Sequence, residues 1–185
     1  MSFQHIALMG KARSGKDTIA ERLVHRWSFT RVAFADPLKG AALRINPLIP
    51  TACNVLVRLN ALVRDVGWEY AKDHYPEVRR TLQHAGQAVR DLDPDFWVHL
   101  AMDKVGAADS WSMPVVVTDC RHPNEVEALR NRGFVLVRVV RPGAATATSH
   151  ESETALDAFP EDVRIVNDGT VLDLSAEADA LVRRR

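Results

Sequence analysis

Two glycines and a lysine early in the chain have the residue types and spacing that bind a phosphate chain. The run Gly10-Lys11-Ala12-Arg13-Ser14-Gly15-Lys16-Asp17-Thr18 matches G-x-x-x-x-G-K through its lysine, the pattern of a loop that wraps anionic oxygens. Gly10 and Gly15 let the backbone curl, so that the amides of Ala12, Arg13, Ser14 and the residues after them face the anion. The positive end of a following helix then stands behind them. Lys16 carries the charge that neutralises a phosphoryl group in transfer. Asp17 stands where Ser or Thr usually gives a hydroxyl to Mg²⁺. A carboxylate there holds Mg²⁺ directly or through water, or else is a first-turn acid stabilised by the helix dipole. Thr18 is within reach of an α-phosphate.

Such a loop needs a strand before it and a helix after it, and both are legible. The apolar run from Phe3 to Met9 predicts a buried strand that stops at Gly10. Residues 15–27 have helical periodicity, with Ile19, Ala20, Leu23, Val24 and Trp27 on one face. A second strand is expected at 31–35, closed by Asp36-Pro37. From there the pattern reads as helix only, at 38–45, 54–73, 76–91 and 94–107, with prolines at 47, 50, 76 and 94 as punctuation. Three further strands follow at 114–118, 134–140 and 163–166, with helices at 123–131 and 174–182. Near-continuous apolar strands alternating with helices predict an α/β fold, a five-stranded parallel sheet with helices on both faces. The expected organisation is one domain over 1–185: a core of 1–35 and 112–185, with a strand-free helical insertion at 36–111. Ligands of such sheets bind at the carboxyl ends of the strands, and the polar motifs fall just after strands one, two and three.

With those motifs in order, the chain resembles the phage-type deoxynucleoside monophosphate kinases. It is more distantly similar to the animal-type phosphomevalonate kinases, whose loop also ends in Gly-Lys-Asp. The likeness runs through the loop, Phe34-Ala35-Asp36-Pro37-Leu38-Lys39, Leu82-Gln83-His84-Ala85-Gly86-Gln87-Ala88-Val89-Arg90 and Phe96-Trp97. It continues through Val117-Thr118-Asp119-Cys120-Arg121-His122-Pro123-Asn124-Glu125, Arg141, His150-Glu151-Ser152-Glu153 and Asn167-Asp168-Gly169-Thr170. Residues 46–75 match nothing in it. The resemblance implies ATP-dependent conversion of a (deoxy)nucleoside monophosphate to the diphosphate, with Mg²⁺. It also implies a fold like that of the P-loop nucleoside monophosphate kinases, with a substrate-binding insertion and a lid at about 141–155.

Each matching residue has its own chemistry. Asp119 ends an apolar strand and suits a Walker-B-type hold on Mg²⁺ through water, or a cap for the next helix. Arg121 is expected to grip the acceptor phosphate by a bidentate contact, with Asn124 and Glu125 supporting the helix start and Glu125 fixing Arg121. Asp36 and Lys39 follow strand two, where the resemblance implies acceptor contact; a helix start of the Asp-Pro type is the structural reading. Gln83, Gly86 and Arg90 share one helical arc: a glutamine there can read a base edge and Arg90 can bind phosphate or base, while an ordinary exposed helix face would look the same. Trp97, beside Phe96, is either a base-stacking or a core aromatic. Arg141 leaves strand four into a Gly/Ala/Thr loop, the expected base of the lid, from which it reaches the transferring phosphoryl group; Arg138, inside the strand, is less suited. His150 and Glu153 are expected to hydrogen-bond substrate or support the lid. Asn167-Asp168-Gly169 signals a turn, with backbone near the donor base as the functional alternative.

Composition sets the remaining bounds. The 185 residues carry 24 basic and 24 acidic side chains, so no whole-molecule field draws the chain to nucleic acid or anionic lipid. Of those 24 cations 19 are arginine, the better phosphate ligand. Cys53 and Cys120 have no metal-ligand spacing and are expected as free thiols in a reducing, cytoplasmic setting. The apolar start is too short for a membrane span and lacks a signal peptide's charged region. Expected partners are ATP and a nucleoside monophosphate, with a homodimer left open. Rival readings are a kinase of another phosphorylated small molecule such as phosphomevalonate, or a non-catalytic nucleotide-binding module; the guanine-reading N-K-x-D of a GTPase is absent.

Overall fold

The structure, a computed structural model, describes residues 3–52, 55–143, 156 and 159–182. Chain order is β1 (Ile6–Met9), α1 (Lys16–Trp27), β2 (Thr30–Val32), α2 (Ala35–Ile45), β3 (Leu48–Pro50), β4 (Leu56–Arg58) and α3 (Leu59–His74). Then come α4 (Pro76–Leu92), α5 (Phe96–Ser110), β5 (Val115–Cys120), α6 (Pro123–Asn131), β6 (Val135–Val140), β7 (Val163–Val166) and α7 (Val171–Ala180). No helix among the described residues is long and apolar enough to cross a membrane.

Five strands form one sheet in the order β2-β5-β1-β6-β7, and every pairing in it is parallel. Successive strand side chains point to opposite faces. Ile6 and Leu8 therefore join Val116, Val137, Val139 and Ile165 with Ile19, Ala20 and Leu23 of α1 and Leu174 and Ala178 of α7. Ala7 and Met9 join Val115, Val117 and Leu136 with Ala101 and Val105 of α5 and Val126 and Leu129 of α6. Helices on both faces explain the unbroken apolar strands. Truncating Leu23, which is 0% exposed, to alanine is expected to cost about 2–5 kcal/mol.

The chain divides into two compact units, one of 1–34 with 98–185 and one of 35–97. The second has its own core of Ala42, Ile49, Leu59, Leu62, Ala71 and Val78. Three expectations change here. The insertion is not strand-free, because β3 and β4 pair antiparallel with Ile49 opposite Val57. The helix expected from residue 54 starts instead at Leu59, and it is interrupted at Gly67 (φ 77°, ψ 164°). The insertion also ends earlier than 111: from Val98 onward α5 belongs to the first unit, its Val98, Ala101, Val105 and Ala108 lying in the sheet's core.

Candidate active site

β1 runs through the middle of the sheet, and the chain leaves its carboxyl end at Gly10. Gly10 has φ +136°, and a Cβ there would stand 2.3 Å from the Val139 carbonyl oxygen, so no larger residue fits so close to β6. Gly15, at φ +107°, is the N-cap of α1. The Lys16 ammonium folds back over the loop, donating to the carbonyl oxygens of Gly10 and Lys11 at 2.7 Å each. Ser14 is buried, and its N–H donates to the Lys11 carbonyl at 3.3 Å. Ala12, Arg13 and Asp17 are exposed, and Thr18 is half-buried. A glycine-bounded loop, a lysine across it and a helix N-terminus behind it fit a chain of phosphates.

Strand register sets the flanks of this loop. Met9 lies opposite Cys120 of β5 and opposite Arg138 of β6. Asp119 and Arg121 thus belong to the carboxyl end of β5, on one side of β1. Arg141 follows the carboxyl end of β6, on the other side. Both arginines are exposed. The Asp119 Oδ1 accepts from the Phe34 N–H at 2.8 Å, fastening the chain beyond β2 to β5. The helix cap that was the alternative for Asp119 is supplied instead by His122 and Glu125, which form a capping box on α6. Buried Glu125 accepts from the backbone N–H groups of Arg121 and His122 at 2.8 and 3.1 Å, so it holds the backbone of Arg121. Burial pushes the Cys120 thiol well above its usual range, with Glu125 and Asp119 adding to the shift.

Arg138 has structural partners. It is buried and donates to Glu161 at 2.9 Å and to the carbonyls of Leu156 and Phe159 at 2.8 and 2.6 Å. Those contacts tie β6 to the chain that leads into β7. Arg138 and Arg164 hold the Glu161 carboxyl below its ordinary value. Among the described residues, no three His, Cys, Asp or Glu side chains form a metal-binding group. Asp17 lies in the first turn of α1 and Asp119 near the end of β5; Mg²⁺ on a nucleotide needs only one or two carboxylates.

In the second unit, Asp36 and Lys39 lie in the first turns of α2, half-buried. The Lys39 ammonium stands 5.8 Å from the centre of the Trp68 ring, a cation–π distance. Gln83 is exposed and Arg90 half-buried on α4. Gly86 between them is a packing position, since a Cβ there would meet Leu38 Cδ2 at 3.0 Å. The expectation for Trp97 as a base-stacking residue is corrected: the side chain is 4% exposed and its indole N–H donates to the Gly86 carbonyl at 3.2 Å. It is a core residue, and Phe96, 38% exposed, packs edge-on against it. His150 and Glu153, most of the expected lid, and Cys53 lie outside the described residues. Trp68 and Asn167 were missed as side chains with contacts at candidate groups. The first sits in 46–75, where no motif was recognised in the sequence, and the second in a run whose composition signals only a turn.

A glycine–lysine loop leaving the middle strand of a parallel β2-β5-β1-β6-β7 sheet makes this an α/β protein with the fold of the P-loop nucleoside monophosphate kinases. Residues 53–177 match the deoxynucleotide monophosphate kinase family. The chain is 27% identical to the putative deoxynucleotide monophosphate kinase of Acanthamoeba polyphaga mimivirus, over 90% of this chain and 89% of that protein. It is 34% identical to the deoxynucleotide monophosphate kinase of Enterobacteria phage T4, over 52% of this chain and 42% of the phage protein. An uncharacterized protein of Ictalurid herpesvirus 1 is 40% identical over 52% of this chain and 44% of its own length. The chain thus spans less than half the length of the phage and herpesvirus relatives. It belongs to the deoxynucleotide monophosphate kinase family. The matched residues begin beyond the phosphate loop, so the loop's geometry and the family match are separate lines of support.

Proposed function

We propose that this chain transfers the γ-phosphoryl group of ATP to the phosphate of a deoxynucleoside or ribonucleoside monophosphate, giving ADP and the nucleoside diphosphate. One observation carries the reading. Two exposed arginines, Arg121 and Arg141, follow the carboxyl ends of the strands on either side of β1, whose own carboxyl end opens into the Lys16 loop. Two phosphate-bearing substrates need such a surplus of cations around one loop. A binding module for one nucleotide does not.

In the proposed reaction an acceptor phosphate oxygen attacks the γ-phosphorus. The bond from that phosphorus to the β,γ-bridging oxygen breaks, and its electron pair leaves with ADP. Lys16 and the amides from Gly10 to Thr18 hold the donor phosphates, and Arg121 grips the acceptor phosphate. Arg141 meets the charge that spreads over the transferring oxygens. Asp17 and Asp119 are the carboxylates that would hold Mg²⁺, which would supply positive charge to screen the phosphates. Asp36, Lys39, Gln83 and Arg90, with His150 and Glu153, are assigned to the acceptor nucleotide, and Trp97 to packing. Catalysis of this kind rests on position and charge, with no covalent intermediate needed.

The test is an ADP-coupled assay with Mg·ATP against each deoxynucleoside and ribonucleoside monophosphate separately, with phosphomevalonate as a further acceptor. Turnover that requires a nucleoside monophosphate and yields its diphosphate supports the reading. Turnover with phosphomevalonate alone, or ATP binding without any acceptor-dependent ADP, overturns it.

A further inference from the structure

Asn167 follows β7, and its backbone N–H extends the ladder to the Val140 carbonyl at 2.7 Å. Its side chain goes elsewhere. The Nδ2 donates to the carbonyl oxygen of Ser14, inside the phosphate loop, at 2.9 Å. Close approach is enforced on both sides: a Cβ on Gly15 would stand 2.6 Å from that nitrogen and 2.9 Å from Leu174 Cδ2 of α7. Only a residue without a side chain lets the amide reach Ser14.

A trans peptide is planar, with C=O and N–H pointing in opposite directions. Fixing the Ser14 oxygen toward Asn167 therefore turns the Gly15 N–H away from β7. A glycine with a freely turning peptide on its amino side would sample both orientations, and only one of them offers a donor to an anion. We infer that Asn167 is a positioning residue of the donor-phosphate site: it fixes the Ser14–Gly15 peptide so that the Gly15 amide faces the triphosphate. The inference rests on the reading of 10–18 as the donor-phosphate loop. It gives a side chain six strands later in chain order a role in holding that loop's shape, without touching the nucleotide.

Binding of ATP and of inorganic tripolyphosphate, measured by calorimetry, tests this in Asn167→Ala and Asn167→Asp. Loss of one neutral hydrogen bond is expected to weaken both ligands by roughly 2- to 10-fold in Asn167→Ala, with the acceptor KM and the melting temperature close to the parent's. Asn167→Asp sets a carboxylate against a carbonyl and is expected to be worse at neutral pH. It should recover toward the parent as the pH falls, because the protonated carboxyl regains a donor. Weakened ATP with unchanged tripolyphosphate would mean that the amide reads the base, which overturns the inference. So would equal rises in the KM of both substrates with a lowered melting temperature, unchanged binding in both variants, or no recovery of Asn167→Asp at low pH. Lys16→Ala, assayed alongside, separates the two claims. If it retains turnover, the phosphate-loop reading itself fails; if it loses turnover while the Asn167 variants behave as parent, only the positioning role fails.

Discussion

The Lys16 ammonium donates to the Gly10 carbonyl oxygen at 2.7 Å, and to the Lys11 carbonyl at the same distance. Its charge is therefore held across the loop by backbone acceptors, where a triphosphate would take over as partner. Lys16→Ala is expected to lower kcat by about 10²- to 10³-fold or more. The melting temperature should change little, because Lys16 is only half-buried. A folded variant with the parent's kcat, in the ADP-coupled assay, would remove the loop from the chemistry.

Arg121 has its backbone fixed by Glu125 at 2.8 Å, while its side chain is exposed beyond β5. Arg121→Ala should raise the KM for the nucleoside monophosphate by on the order of 10- to 150-fold, the loss of about 1.5–3 kcal/mol in a charge-assisted contact. The KM for ATP should stay near the parent value. A rise chiefly in the ATP value reverses the assignment of the two sides.

Asp119 is assigned two jobs that different substitutions separate. Asn keeps an oxygen to accept from the Phe34 N–H but loses the charge; Ala loses both. Asp119→Asn should retain its melting temperature while requiring roughly 10-fold more Mg²⁺ for half-maximal rate. Asp119→Ala should also melt lower by about 4–8 °C, from about 2 kcal/mol left in an unpaired N–H. Identical Mg²⁺ titrations for Asp119→Asn and parent would leave Asp119 as a strand fastener alone.

Arg141 follows β6, and its proposed partner is charge that develops during transfer. Arg141→Ala should therefore lower kcat by about 10²- to 10⁴-fold with both KM values nearly unchanged. Full kcat in that variant would move the search for the catalytic cation to Arg13 or Arg90, since Arg138 is committed to Glu161 and two carbonyls.

Acid stability has a specific contributor between α1 and α7. Asp179 accepts from Arg22 at 2.7 and 2.9 Å and from the Trp27 indole at 2.8 Å. Those hydrogen bonds, Arg22's first, lower its pKa from 3.8 to about 2. A carboxyl whose folded pKa is depressed stabilises fully above its ordinary value and loses that contribution as pH falls through the lowered one. Asp179→Asn should flatten the dependence of melting temperature on pH between about 4 and 2. The part of the slope due to Glu161, also lowered, should remain. Superimposable pH profiles of variant and parent would remove Asp179 from the account.

The phosphate loop was legible because its signal is local: residue types at fixed spacing between an apolar run and a periodic one. The sheet was legible because burial on both faces leaves no polar alternation in β1, β5 and β6. The hairpin of β3 and β4 was not, since three-residue strands show no period and Leu56 to Arg58 runs directly into helical periodicity. The division within α5 was hidden for a different reason. The boundary falls inside one helix, with Trp97 in the second unit and Val98 in the first, and no proline or glycine marks the change. Adjacent aromatics face different surroundings on a helix, so Phe96-Trp97 did not reveal which was buried. The Asn167 contact escaped because Asn-Asp-Gly explains itself as a turn, and nothing local says that an amide reaches back to residue 14.

The sheet order also fixes when the protein can fold as it is made. β1 pairs with β5 through Ile6 and Val116 and with β6 through Ile6 and Val135, so neither neighbour exists when β1 is synthesised. At about 5–20 residues per second, β1 waits roughly 5–20 s for β5. The whole 35–97 unit leaves the ribosome within that interval, with all of its core in one continuous stretch. Pairings so distant in sequence are slow to close. Among the described strands of the sheet, Ile6-Ala7-Leu8-Met9, each 0% exposed in the finished fold, is therefore the apolar segment that stays longest without its partners during synthesis.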